Sequence, residues 1–296
     1  MRLSIKLRYI QLLGVCIVGI CLYLYLSRRT ISGFQNTQDA VICCIAKFED
    51  PYLDEWIRYN LKLGFSRIYI YDNHDEPNIE AKFGDAQYKD KVTVIHYPGL
   101  TKQMPAYNDF IQNHASKHTW VAFIDCDEFI TLVNPEPIVS LLRRLCPEGS
   151  LALSWRIFGD NGHTDYSGEP VLERFTQCEE VADKHVKCIH RCDDLVIVGN
   201  PHHAQLKEGK SQRDTLGNII DGPFNPNPTL EIAYVNHYLG KSFGEFVAKR
   251  NRGRSDISTL RDMSDFELHN KNDVEDTRAR DFMRGDLSFT TDNPSV

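Results

Sequence analysis

Apolar residues run unbroken from Val41 to Ala46, yield to Lys47-Phe48-Glu49-Asp50-Pro51, and recur at Leu53, Trp56, Ile57, Leu61 and Leu63 before Gly64. A buried strand, a loop and an amphipathic helix closed by glycine give that pattern. The alternation then repeats. Arg67–Tyr71 and Lys91–His96 read as strands, Pro105–Lys117 as a helix, and Trp120–Ile124 as a fourth strand running into Asp125-Cys126-Asp127-Glu128. Strands alternating with helices predict an α/β fold with a Rossmann-like, mostly parallel sheet flanked by helices. Farther on the pattern loosens into a helix at Ile138–Leu145, a strand at Leu151–Ile157, a Gly-rich loop from Phe158 to Gly168, and short strands and turns through Pro228. A strand at Ala233–Tyr238 and a helix at Phe243–Arg250 follow, and from about Ser255 the chain is charged, poor in aliphatics, and reads as a tail of partial order.

At the other end, Tyr9–Leu26 is uncharged over 18 residues, with Arg2, Lys6 and Arg8 before it and Arg28 and Arg29 after it. This length and these flanks predict a single transmembrane signal anchor with a cytoplasmic N-terminus. A cleaved signal peptide is the alternative, but the run exceeds the usual apolar core and Ser27-Arg28-Arg29 is a poor cleavage context. The expected organisation is therefore 1–8 cytoplasmic, 9–26 transmembrane, 27–39 a short stem, 40–254 one α/β domain and 255–296 the charged tail.

Composition adds two limits. With 42% hydrophobic and 10% aromatic residues in 296, the chain can build a core without covalent staples. Its net charge is −7, and because residues 1–29 hold five basic side chains and no acid, the remainder carries −12. Such a body is a poor polyanion binder, and nucleic acid is not an expected partner. Of nine cysteines, Cys43, Cys44 and Cys126 read as small core residues, whereas Cys178, Cys188 and Cys192 lie in polar sequence where one bridge could form in an oxidising compartment. The Cys188, His190, Cys192 spacing matches no standard zinc knuckle pair.

The sharpest chemical signal is WVAFIDCDEFI, where a buried strand ends and Asp125 and Asp127 follow. Ligands of open α/β sheets bind beyond the carboxyl ends of strands. Two carboxylates one residue apart on extended chain point to one side, where they can hold a hard divalent cation that in turn binds a diphosphate. Downstream, Asn236-His237-Tyr238-Leu239-Gly240-Lys241 puts an imidazole at a strand end and a lysine four residues later. His237 can complete a metal shell, and Lys241 can neutralise a leaving diphosphate.

These residues carry a resemblance. KFEDPYLDEWIRYNLKLGFSRIYIYDN, FIDCDEF, SWRIFGDNGH with VLERFT, and NHYLGKSFGEFVAKRNRG stand in the order of the blocks of glycosyltransferase family 92 and its family 2 type relatives, and resemble them over roughly residues 41–256. Phe48, Asn60 and Asp160-Asn161 depart from the usual residues. The resemblance implies a GT-A fold with its D-x-D motif, a nucleoside diphosphate sugar donor (a UDP-sugar first), a glycan or glycoconjugate acceptor, manganese or magnesium as cofactor, and inversion at the anomeric carbon. The sugar is not read, galactose being one candidate of a hexosyltransferase. It further implies residence in the Golgi or another endomembrane, as a type II protein with the domain lumenal.

Carried onto this chain, the resemblance makes Asp127 a direct metal ligand, Asp125 a ligand or ribose partner, Asp72 a residue facing the nucleoside, and Gln103 and Asn108 donor contacts. His237 is assigned to the metal and Lys241 to the diphosphate. An inverting transfer needs a base at the acceptor hydroxyl. Among Asp160, Asp165 and Glu173, the favoured base is Glu173, which lies in a block that resembles the family. Trp155 is the aromatic best placed to meet a sugar; Trp56, Phe158 and Phe175 read as core, and His202-His203 reads either as reaching donor or metal or, at least equally, as a surface turn. Two other readings stand beside the transferase. One is an aspartate-nucleophile phosphohydrolase, which would normally carry Thr or Val where Phe129 stands. The other is a non-catalytic carbohydrate-binding relative.

Overall fold

Strand β1 (Ala40–Ala46) is buried at every position, because small and β-branched side chains suit a strand covered on both faces. Its odd and even residues enter two separate apolar clusters, one on each side of the sheet. The computed structural model describes residues 38–83, 87–256 and 258–289. The expected cytoplasmic segment, anchor and nearly all of the stem lie outside the described residues. Among those described, no helix is long and apolar enough to cross a membrane.

Helix α1 (Asp50–Leu63) starts with a proline in its first turn and closes at Gly64, whose φ of 104° is the left-handed conformation that glycine adopts without strain. After it come β2 (Arg67–Asp72), α2 (Ile79–Phe83), β3 (Val92–His96), α3 (Gln103–Asn113), β4 (Trp120–Phe123) and β5 (Glu128–Leu132). The helix expected over Pro105–Lys117 begins two residues earlier. It stops at Asn113, where His114 leaves helical geometry and a separate 3-10 turn takes the chain to Lys117. Trp56 and Tyr59 pin α1 across the sheet by donating to the carbonyls of Glu128 and Ile130, each at 2.8 Å.

The second half contributes α4 (Ile138–Leu145), β6 (Ser150–Ile157), α5 (Val171–Arg174), β7 (Gln177–Cys178), β8 (Asp183–Arg191), β9 (Leu195–Asn200), β10 (His203–Leu206), β11 (Gln212–Arg213), β12 (Ala233–His237), α6 (Phe243–Asn251), α7 (Ser264–His269), β13 (Val274–Glu275) and α8 (Arg278–Arg284). The main sheet runs β3-β2-β1-β4-β8-β6-β12-β5, with β11 beside β6. Its first four strands are parallel, as the alternation predicts. The rest adds two antiparallel members, so seven of the nine strands run one way and the sheet is mostly parallel, as expected. β6 and β8 are joined at one end of the sheet without a crossover, so β8 runs antiparallel to both β6 and β4, and β5 runs antiparallel to β12 at the far edge.

The charged segment after Ser255 is packed against the domain. Ala279 and Phe282 of α8 enter the main core, β13 pairs with β7, and Asp276 binds buried Arg156 at 2.6 Å. A Cβ on Gly159 would lie 2.4 Å from the Lys271 carbonyl oxygen, so only glycine permits this approach. The seven described cysteines are all free and buried, so the bridge considered among Cys178, Cys188 and Cys192 is not formed. Cys188 instead points its Sγ at the His202 carbonyl and the Gln212 side chain.

Candidate active site

The turn after β4 is locked by its own polar groups. Glu128 Oε2 accepts the Asp125 backbone N–H at 2.8 Å, and the Asp125 carbonyl accepts the Glu128 N–H at 3.1 Å. The Asp127 carbonyl then accepts the Tyr238 N–H at 2.9 Å, and strand register sets His237 opposite Glu128. These bonds bring residues more than a hundred positions apart to one corner, where His237 Nε2 stands 3.8 Å from Asp127 Oδ2. The corner opens on a cavity of about 290 Å³ at the carboxyl ends of β1, β4 and β12.

Asp127 is almost fully buried, and burial alone would raise its pKa. Lys249, then His237 and Lys241, outweigh that cost and hold the carboxyl well below the usual carboxylate range. Lys249 donates directly to Asp127 Oδ2 and, at 3.2 Å, to the Leu239 carbonyl. Burial brings the Lys249 ammonium down to about 8 against the pull of Asp127. Burial, reinforced by Lys249, also keeps His237 neutral despite Asp127, and its Nδ1 has no partner among the described residues.

Asp125 is partly exposed and held from two sides, by Gln103 Nε2 at 2.7 Å and Lys187 Nζ at 2.9 Å. Lys187 is buried, yet Asp125 and Glu128 overcome the burial cost and keep it protonated. Gln103 thus lines the cavity, and its backbone N–H also binds the Ser255 carbonyl at 3.0 Å, which ties α3 to the chain after α6.

The other residues singled out from the sequence lie elsewhere. Asp72 is fully buried, and its oxygens accept the backbone N–H groups of His74, Asn78 and Ile79, so it organises the β2–α2 loop while its neighbour Asn73 faces the cavity. Asn108 clamps α3 to β9 through both main-chain groups of Val198. Lys241 sits beneath the cavity, 4.2 Å over the Tyr52 ring and 3.9 Å from Glu49, on a left-handed backbone with φ 52°. Glu173 is on the outer surface, paired with Arg284, and is not positioned to take a proton from anything in the cavity. Its neighbour Arg174 turns inward and grips Glu245 with two bonds of 2.7 and 2.9 Å, because adjacent residues of a helical turn point about 100° apart.

Several cavity groups carry no signal in the sequence pattern. Glu49, in the first β–α loop, is buried and ion-paired with Arg252. Lys249 and Arg252 project from α6 and its end, and Arg254 and Arg261 from the segment beyond. Arg254 pairs with Asp256, whereas Arg261 makes no direct ion pair among the described residues and feels Asp127 and Asp256 only from farther off. The one available sequence signal was a run of cations at 249, 250, 252 and 254, placed after a strand-end histidine.

Among the described residues no three acidic, histidine or cysteine side chains converge as a complete metal cage. A hard cation bound through one or two protein ligands plus substrate phosphates needs none. The ionised Asp127 and the neutral His237, 3.8 Å apart with no hydrogen bond between them, fit such a partial donor set, and Lys249 would then turn to the phosphates.

An α/β sheet whose strand ends gather a carboxylate pair, an imidazole and a wall of cations belongs to the class of sheet proteins built to hold a charged ligand at that edge. The sequence model of glycosyltransferase family 92 matches residues 39–272, and the chain belongs to that family. A glycosyltransferase family 92 protein of Oryza sativa subsp. japonica is 28% identical over 176 residues, covering 57% of this chain and 30% of that protein. Family members from Arabidopsis thaliana and Ricinus communis are 24% and 26% identical, each match covering 70% of this chain and 36% of the relative. The matched region spans about a third of the length of these curated relatives.

Proposed function

We propose that the domain is a GT-A type hexosyltransferase that moves a sugar from a nucleoside diphosphate, UDP first among them, to a glycan or glycoconjugate acceptor with inversion. Galactose is one candidate sugar. One observation carries the reading: a buried carboxylate at a strand end faces cations from α6 and the following segment across one cavity of an otherwise acidic body. A diphosphate satisfies both walls when a divalent cation, manganese or magnesium, accompanies it. Asp127 and His237 would hold that cation, which supplies charge neutralisation at the diphosphate. Asp125 and Gln103 face the donor from the other side, and Asn73 replaces Asp72 as the polar group toward the nucleoside. The apolar 9–26 segment supports, within the same reading, a type II anchor with the domain in the lumen of the Golgi or another endomembrane.

The test is release of nucleoside diphosphate from a panel of nucleotide sugars, with manganese, magnesium or chelator. Metal-dependent release by the wild type, lost by at least ~10²-fold in Asp127→Asn while circular dichroism is unchanged, is the expected result. Equal activity in chelator, or in Asp127→Asn, sinks the metal assignment. Nucleotide sugar binding without turnover would favour the non-catalytic alternative.

A further inference from the structure

His185, near the start of β8, lines the same cavity as Asp127 and His237. Its Nδ1 lies 2.7 Å from Asp183 Oδ1, which also accepts the His185 backbone N–H at 2.8 Å. Burial opposes ionisation of Asp183, but its bonds from His185 prevail and hold its carboxyl below the ordinary range. A carboxylate can only accept, so Nδ1 carries a proton, and in the neutral ring the lone pair lies on Nε2. Among the described residues nothing bonds that Nε2. Trp155 stacks on the ring at 4.9 Å and Phe224 meets it edge-on at 4.7 Å, fixing its plane. Trp155 also touches His237, at 4.1 Å, and so links this end of the cavity to the Asp127 corner.

The acids lining the cavity are otherwise engaged. Glu49, Asp125, Asp127 and Asp256 are each held by a cation, and Asp265 accepts the Asp262 N–H at the start of its own helix. The titratable groups around His185, besides Asp183, are His202 on the β9–β10 turn, 5.6 Å away, and His269 at the end of α7. Burial pushes His202 down to about 3, which makes it a weak base, and also lowers His269, whose Nδ1 is tied to the Asp265 carbonyl.

We infer that His185, oriented by Asp183, is the general base that deprotonates the acceptor, an inference that rests on the transferase reading above. Nε2 takes the acceptor's hydroxyl proton as that oxygen bonds to the anomeric carbon. The bond from this carbon to the diphosphate oxygen breaks, and its electron pair leaves with the diphosphate. The imidazolium then returns its proton to water. Asp183 is a positioning residue, since it fixes the tautomer and never meets the acceptor.

The test uses the full chain with a panel of nucleotide sugars and water as the acceptor, which needs no knowledge of the natural one. His185→Asn keeps an amide that can bond Asp183 but has no basic nitrogen. It should lower kcat by roughly 10²-fold while leaving donor Kd within twofold by calorimetry. Asp183→Asn should lower kcat by a smaller factor with KM unchanged. Wild-type kcat in His185→Asn, a loss confined to donor affinity, or a first-formed sugar with the donor's anomeric configuration would each overturn the inference. A wild type that neither binds nor cleaves any donor in the panel would instead bring down the transferase reading, and the base with it.

Discussion

Arg261 and Glu173 show how a charged residue is sorted by its partner. Arg261 faces the cavity without a direct ion pair among the described residues, and burial, with Arg254 and Arg252 nearby, lowers its hold on its proton against the pull of Asp127 and Asp256. A bound diphosphate relieves that cost. Arg261→Met should therefore weaken donor binding by ~10-fold or more, the size of a lost charge-assisted bond, while the thermal midpoint does not fall; calorimetry and a melting curve report both. Glu173, by contrast, is in a surface pair with Arg284, and solvent screens such pairs so that they contribute little. Glu173→Gln should leave kcat within about twofold, and a larger loss would return it to the candidate bases. Of the two, only Glu173 was singled out from the sequence. Glu173 lay in a recognisable block and Arg261 in a charged stretch with no pattern. Position in a block says nothing about which side of a one-turn helix a side chain takes. Asp72 makes the same point: it is at the strand end as expected, but its oxygens are used by the backbone of the next loop.

At the scale of elements, most strands and helices were legible because their apolar periodicity is strong, and the D-x-D turn and His237 were legible as strand ends. The element that matters most to the cavity is α6, and what docks it was not visible. Ser242 and Glu245 form a capping box, and Glu245 also takes both bonds from buried Arg174 and one of 2.8 Å from Tyr52. Only the fold brings 52, 174 and 245 together. Removing one partner of a buried ion pair leaves the other uncompensated, so Arg174→Met should destabilise by about 3–5 kcal/mol and loosen Lys249 and Arg252 with the helix. The Glu245 carboxyl is brought down to about 2, by Arg174, Ser242 and Tyr52 overcoming its burial. A carboxyl lowered on folding stabilises fully above its unfolded pKa, near 4.3, and loses that contribution as pH falls toward the folded value. Urea melts should show stability declining from about pH 4.5 toward 2, with a shallower decline in Glu245→Gln; parallel curves would refute this.

For the whole molecule, the charged stretch after Ser255 is the largest departure from the pattern. It buries few aliphatics but supplies a wall of the cavity, and it satisfies Arg156 through Asp276. Ion pairs at a core boundary leave no apolar periodicity to read. Truncation after Arg254 should therefore yield a chain that fails to fold, seen as lost solubility and lost near-ultraviolet dichroism, and a soluble, donor-binding fragment would contradict it. The sheet order has a consequence during synthesis. β5 is made directly after β4 but pairs with β12, whose first residue comes about a hundred positions after Leu132. At roughly 5–20 residues per second that is a wait of about 5–20 s for a nascent chain with an unpaired apolar edge. Until Tyr238 has left the ribosome, the Asp127 turn has only its own bonds and lacks the one from Tyr238, and the cavity lacks His237 and its wall of cations, so no nucleotide can rescue the unfinished chain by mass action. A stall before residue 233 strands a sticky intermediate, and a stall after α6 leaves one that ligand can begin to stabilise.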